Sequence, residues 1–224
     1  MDPNKLSLNT SKSNFVIFNP YQHKSDCTIQ LKIYNNDNVP LEQKTFVKYL
    51  GILIDNNLSW KYHIDYISSK VSKGIGMIAR LRHFVPLATM LNIYRSLIEP
   101  YISYSLIAWG QAANIYLNKV LILQKRALRL MYFADSKAHS APLFVHSRML
   151  PVTMLYHHLV SSMMYDINNH RVPSNISMLF THSEQVHHHF TRFSAAGNLY
   201  VKTSRTNLLL FSFARIKECE ITSQ

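Results

Sequence analysis

Acidic residues are scarce: 224 residues hold 12 Asp and Glu against 24 Lys and Arg. Because only 16% of the chain is charged, the formal net charge of +12 comes from missing acids and not from lysine blocks. With 47% hydrophobic residues, this composition argues against disorder over most of the chain. The only two cysteines, Cys27 and Cys219, lie far apart, which excludes a disulfide framework and a CxxC metal pair. No apolar run long enough for a membrane span is free of charge and proline, and Met1 to Asn9 has no apolar signal-peptide core. The expectation is an intracellular chain, nuclear or cytoplasmic, neither secreted nor embedded in a membrane.

A carboxylate cluster is missing as well. Asp2, Asp26, Asp37 and Asp55 are scattered among turn-like segments, where an aspartate caps or solvates more often than it ligates. What is abundant is positive charge on a foldable chain, the electrostatic footprint of a polyanion binder, since neutralising phosphates releases counterions. Membrane-surface binding predicts a similar surplus but asks for a concentrated basic amphipathic helix. A basic protein with no nucleic-acid role is the bland alternative.

Period-2 and β-prone runs mark the first quarter. Phe15-Val16-Ile17-Phe18 reads as a short strand closed by Asn19-Pro20, and Ile29, Leu31 and Ile33 alternate over Thr28 to Tyr34 as a half-buried strand. Phe46 to Ile54 is a third β-prone run, in which Gly51 suggests a bulge or a close backbone approach. The period then changes. Trp60, Ile64, Ile67, Val71, Ile75, Ile78 and Leu81 recur every three or four residues and predict a long amphipathic helix with Ser59 as its N-cap.

Pro86 opens a second predicted helix through Leu91, Tyr94, Leu97 and Ile98, which Pro100 kinks or breaks before Tyr101 to Trp109, with Gly110 as a stop. Further helices fit Ile115 to Phe133, Pro142 to Met149 and Val152 to Asn168. His170 to Ala196 is polar and histidine-rich and reads as a loop, and Leu208 to Phe213 as a strand or short helix. The fold class is α+β: a β-rich piece over residues 1–55, a helical region over 56–134, and a second helical region over 135–224 with a polar loop near 170–196. The helical spacing of Tyr94, Tyr101 and Tyr104 assigns them to core packing by default.

These residues resemble, in order, non-LTR retrotransposon reverse transcriptases of the jockey-like kind. Asn4-Lys5-Leu6-Ser7-Leu8-Asn9, Lys12 and Phe15 to Phe18 resemble the segment that follows the catalytic strand turn. Tyr49-Leu50-Gly51-Ile52-Leu53-Ile54-Asp55 with Leu58-Ser59-Trp60 and His63-Ile64 is similar to the primer-grip hairpin and the start of the thumb. Leu97-Ile98-Glu99-Pro100-Tyr101-Ile102-Ser103-Tyr104, Trp109-Gly110, Leu123-Gln124-Lys125-Arg126-Ala127-Leu128-Arg129 and His139-Ser140-Ala141-Pro142-Leu143-Phe144 resemble the helical region beyond it.

The resemblance implies part of an RNA-directed DNA polymerase whose aromatic-Ala-Asp-Asp metal signature lies upstream of Asn4, so that this chain alone is inactive. Two-ion nucleotidyl transfer needs clustered carboxylates, so Mg²⁺ is expected for the complete parent enzyme only. It implies a nucleotide-proximal role for Lys12, primer contact at Tyr49, Leu50 and Gly51, and an RNA or RNA-DNA template-primer as partner, with the amino-terminal polymerase part as a second one. The strands of the β-rich piece are expected to pair with catalytic strands outside the chain. Tyr132-Phe133-Ala134-Asp135 imitates the metal signature but has one aspartate at a helix end.

From spacing alone, Lys70, Lys73 and Arg80 line one helix face opposite the apolar stripe and suit a phosphate backbone. Lys125, Arg126 and Arg129, with Lys119 nearby, form a second basic cluster, and Lys202 and Arg205 add a third. Solvated helix faces look the same. His187-His188-His189 with His157 and His158 lacks the helix-spaced pair of a zinc site and reads as polar surface, so no metal ligand is assigned. The competing class is a non-catalytic protein-interaction fragment or degenerate transposon remnant.

Overall fold

The computed structural model describes residues 13–18, 41–178 and 180. The predicted strand over Thr28 to Tyr34, Lys12, the triple-histidine segment and the tail beyond residue 180 lie outside the described residues. The architecture is α+β, with two small two-stranded sheets followed by helices.

β1 (Asn14–Phe15) pairs in parallel with β2 (Glu42–Gln43), so the first strand stops where the apolar run Val16 to Phe18 begins. The run from Phe46 to Ile54 is not one strand. β3 (Phe46–Tyr49) and β4 (Ile52–Asp55) form an antiparallel hairpin, with Phe46 opposite Asp55 and Tyr49 opposite Ile52. Gly51 therefore serves a turn and not a bulge: Leu50 and Gly51 both have positive φ, 46° and 87°, as a two-residue primed turn with right-handed strand twist requires.

α1 (Lys61–Leu81) is the long helix the periodicity predicts, burying Ile64, Ile67, Val71, Ile75 and Ile78. Its start differs from expectation. Ser59 is not the N-cap: Trp60 takes that position at φ 63°, and Ser59 Oγ has only a long 3.4 Å contact with the Lys61 N–H. The Asp55 carboxylate accepts instead from the Ser59 and Trp60 N–H groups, both at 2.9 Å. Left-handed Leu58 and Trp60 fold the link back so that the last residue of β4 closes the first turn of α1. Asp55 is thus a buried cap, as its place in a turn suggests.

α2 (Leu87–Leu97) starts behind Pro86, and the chain breaks at Ile98 into α3 (Glu99–Ser103), with Pro100 in its first turn, and α4 (Leu106–Trp109), ended by Gly110. α5 (Asn114–Met131) makes the most extensive packing of the fold, against α1. α6 (Ala141–Ser147) and α7 (Val152–Asn168) follow, and α8 (Ser174–Ser177) is a single turn inside the segment expected to be loop.

One core joins α1 to the start of α7, centred on Ile64, Val71, Ile98, Trp109, Val120 and Leu128. Each fully buried aliphatic there contributes roughly 1.5–3 kcal/mol of transfer free energy. Gln124 is the polar hub of this core. Its Oε1 accepts from the Val152 N–H at 2.8 Å, and its Nε2 donates to Tyr94 Oη at 3.2 Å and to the Leu150 carbonyl at 3.3 Å. One amide side chain thereby fixes α5 against α2 and the entry to α7. Burial pushes the Tyr94 phenol up to about 12, against the opposing pull of the Gln124 bond.

Candidate nucleic-acid interface

The β3–β4 hairpin is held on the helices at three levels. At its tip, the Tyr104 hydroxyl donates to the Leu50 carbonyl at 2.6 Å. Along β4, the Leu53 N–H donates to Nδ1 of His63 at 3.3 Å, and His63 meets Trp109 edge to face at 5.8 Å between ring centroids. At its base, Phe46 stacks on Tyr62 of α1 at 4.8 Å. The tip faces outward as a result, with Tyr49 62% and Leu50 72% exposed.

His63 is itself buried, and burial lowers it to about 4, so it is neutral at physiological pH and free to accept from β4. Tyr104 escapes the assignment to core that its spacing suggested, as does Tyr101: they are 53% and 40% exposed, whereas Tyr94 is buried. After Pro100 the chain is cut into two helices of five and four residues, and helical spacing no longer reports a buried face.

Beside the hairpin runs the row of cations on α1. Lys73 and Arg80 are exposed and Lys70 is half-buried, all on the side away from the Ile64, Val71 and Ile78 stripe. Lys70 to Arg80 spans about 15 Å of helix axis, the rise of roughly four phosphates along one duplex strand. Lys70 Nζ lies 5.5 Å from the Tyr66 ring centroid, and Lys48 Nζ from β3 lies 6.0 Å from the same ring. Among the described residues the ion pairs are Lys44–Glu42 and Lys119–Asp65, and none of them joins an acid to Lys48, Lys70, Lys73 or Arg80.

Lys48 is the site residue that sequence reasoning missed. Strand alternation places Lys48 on the same hairpin face as Phe46, but only the fold shows that this face packs on the aromatic side of α1.

The second predicted cluster is not brought together as one free face. Arg126 is exposed, Lys125 is half-buried in the wall of a groove, and Arg129 Nε donates to the Ala138 carbonyl at 3.0 Å, tying α5 to the loop before α6. Lys119 reaches across to Asp65 of α1 at 2.9 Å. The Tyr132 to Asp135 imitation ends α5, with Tyr132 at its C-cap. Asp135 accepts from the Lys137 N–H and from Ser136, which hold its carboxyl below the usual range. Among the described residues no group of three His, Cys, Asp or Glu is arranged to hold a metal ion.

The class of structure is therefore a small hairpin clamped to a helical body and continued by a row of cations without acid partners among the described residues, an arrangement suited to a polyanion. The comparisons with known proteins show what this chain is similar to. Over 86 residues, 37% of this chain, it is 40% identical to the RNA-directed DNA polymerase from mobile element jockey of Drosophila melanogaster, and over 105 residues, 45% of the chain, it is 29% identical to that of Drosophila funebris. Over 130 residues, 56% of the chain, it is 27% identical to the probable RNA-directed DNA polymerase from transposon X-element of Drosophila melanogaster.

The matched stretches cover 14%, 9% and 11% of the lengths of the X-element and the two jockey proteins respectively. No family model and no solved structure matches the chain. The resemblance read from the residues stands: the chain is similar to jockey-like non-LTR reverse transcriptases.

Proposed function

We propose that this chain is the part of a jockey-like RNA-directed DNA polymerase that follows the catalytic strands, and that it grips an RNA-DNA or RNA template-primer through phosphates. The observation that carries this reading is the continuity of the β3–β4 hairpin with the cation row: Lys48 and Lys70 flank Tyr66, and Lys73 and Arg80 extend the row along α1. In this reading the exposed Tyr49–Leu50–Gly51 tip meets the primer terminus, α1 follows the duplex backbone, and Arg126 and Lys125 contribute at longer range. The metal-holding carboxylates belong to another part of the polymerase, where Mg²⁺ supplies the chemistry, and this chain by itself positions and does not polymerise. Its regions divide near residues 55 and 134 into palm end, thumb and carboxy-terminal part.

The test is fluorescence anisotropy of the full chain on a labelled blunt RNA-DNA duplex at two salt concentrations, beside a Lys70→Ala, Lys73→Ala, Arg80→Ala variant. Micromolar binding that falls steeply with salt, with a logarithmic slope shallower by about 3 in the variant, is the expected result. Equal slopes in the two proteins, or no binding by a folded chain, would overturn it.

A second reading, docking of a protein partner, is favoured by a groove of about 640 Å³ between α5, α6 and the start of α7. Leu121, Phe144, Val145, Met149 and Met154 line it, and Val145 and Met154 are 75% and 61% exposed. Partner binding at this groove would lack the steep salt dependence of phosphate contacts.

A further inference from the structure

At the end of α1 farthest from the hairpin lies an aromatic group that the duplex contacts do not use. Phe84, in the turn between α1 and α2, is 83% exposed, and Phe133, just past α5, is 55% exposed. Phe133 carries the guanidinium of Arg82 5.3 Å from its ring centroid and His83 edge to face at 5.4 Å. Arg82 Nε also donates to His83 Nε2 at 3.0 Å, which fixes the two side chains relative to each other.

The backbone at Phe133 is costly. Its φ is 53°, and the Ala134 N–H donates back to the Arg129 carbonyl at 2.9 Å, so Phe133 fills the left-handed position after a helix that glycine usually takes. An L-residue there is strained, because its Cβ crowds the following carbonyl oxygen. Core burial does not offset this cost, because the ring is turned to solvent. Phe133, on a strained backbone, thus offers a π-face and a positive charge together, and Phe84, next in the chain to His83, exposes a second phenyl ring.

We infer that Phe84 and Phe133, with Arg82 and His83, form a stacking platform for unpaired nucleotides: single-stranded RNA or DNA beyond the duplex on α1. Exposed bases supply π-faces to both phenyl rings, while the Arg82 guanidinium meets a phosphate of the same strand. An aliphatic protein partner would have no use for the guanidinium set on the Phe133 ring. The inference rests on the template-primer reading above and adds to it a ligand form, the single strand, with its own binding residues.

The test uses the full chain and a 12-nucleotide single strand carrying one 2-aminopurine, whose emission falls when it stacks, beside the blunt RNA-DNA duplex. Phe84→Ala and Phe133→Ala each reduce single-strand affinity by about 5- to 100-fold and remove the emission change, while duplex affinity stays as in the parent. Phe84→Trp retains both signals, and unchanged far-ultraviolet circular dichroism confirms that the variants fold. Parental affinity and quenching in the double Ala variant would overturn the platform, as would a folded chain that binds duplex and ignores the single strand. A folded chain that binds neither probe sinks the template-primer reading together with this one.

Discussion

The Tyr104 hydroxyl lies 2.6 Å from the Leu50 carbonyl, joining the link between α3 and α4 to a hairpin tip 54 residues earlier. Trp109 holds that link in turn, its indole N–H donating to the Tyr104 carbonyl at 3.0 Å. A built Cβ on Gly51 would lie 3.5 Å from the Tyr104 ring, so the ring also seats the tip. The hairpin is therefore placed by the helical body and does not hang free.

Removing only the hydroxyl should release the tip and leave the body intact. Because the bond is solvent-exposed, Tyr104→Phe is expected to cost about 0.5–1.5 kcal/mol of global stability, measured by urea unfolding. The larger effect should be local: faster amide exchange at Leu50 to Leu53 and weaker duplex binding with an unchanged salt slope, since no phosphate contact is lost. If amide exchange at the tip matched the parent, the bond would have no anchoring role.

Local signals in the sequence carried over well where the chemistry was local. The 3.6-residue stripe through Ile64, Val71 and Ile78 and the helix start behind Pro86 appear where expected, and the interruption expected at Pro100 falls just before it, at Ile98, because periodicity and proline act within a few residues. Failures occurred where a partner came from elsewhere. Ser59 lost the cap to Asp55 because two left-handed residues bring the end of a strand under the helix. Arg129 reads as a free cation until the Ala138 carbonyl is placed beside it. Lys48 was missed because its companion, Lys70, meets it only across Tyr66, through a contact between hairpin and helix.

His63 makes stability depend on pH in a defined direction. Burial lowers the folded imidazole to about 4 from its usual 6.5, so the unfolded chain binds the extra proton between those values. The stabilisation from keeping His63 neutral is fully present above about pH 6.5 and is lost as pH falls towards 4. The contribution should be smaller at pH 5 than at pH 7 by about 2 kcal/mol. Urea unfolding at both pH values, compared with His63→Gln, isolates this residue from the other histidines. A variant with the same pH dependence as the parent would show that His63 does not titrate on unfolding.

Two glycines of α1, two residues apart, should respond oppositely to the same substitution. A Cβ on Gly74 would sit 2.7 Å from Ile98 Cγ1, where α1 meets the break between α2 and α3, and the fully buried Ile98 has little room to retreat. A Cβ on Gly76 would meet nothing within 4 Å, and that position faces solvent. Gly76→Ala is expected to stabilise the chain by about 0.5–1 kcal/mol through helix propensity and reduced freedom of the unfolded chain. Gly74→Ala gains the same intrinsic term but forces Ile98 off its position, with a net loss of about 1–3 kcal/mol typical of overpacking. Thermal unfolding of the pair decides the matter: a rise in Tm for both would mean that α1 and Ile98 are less tightly packed than the 2.7 Å approach indicates, and a fall for both would mean that the open space at Gly76 does not let helix propensity decide the sign.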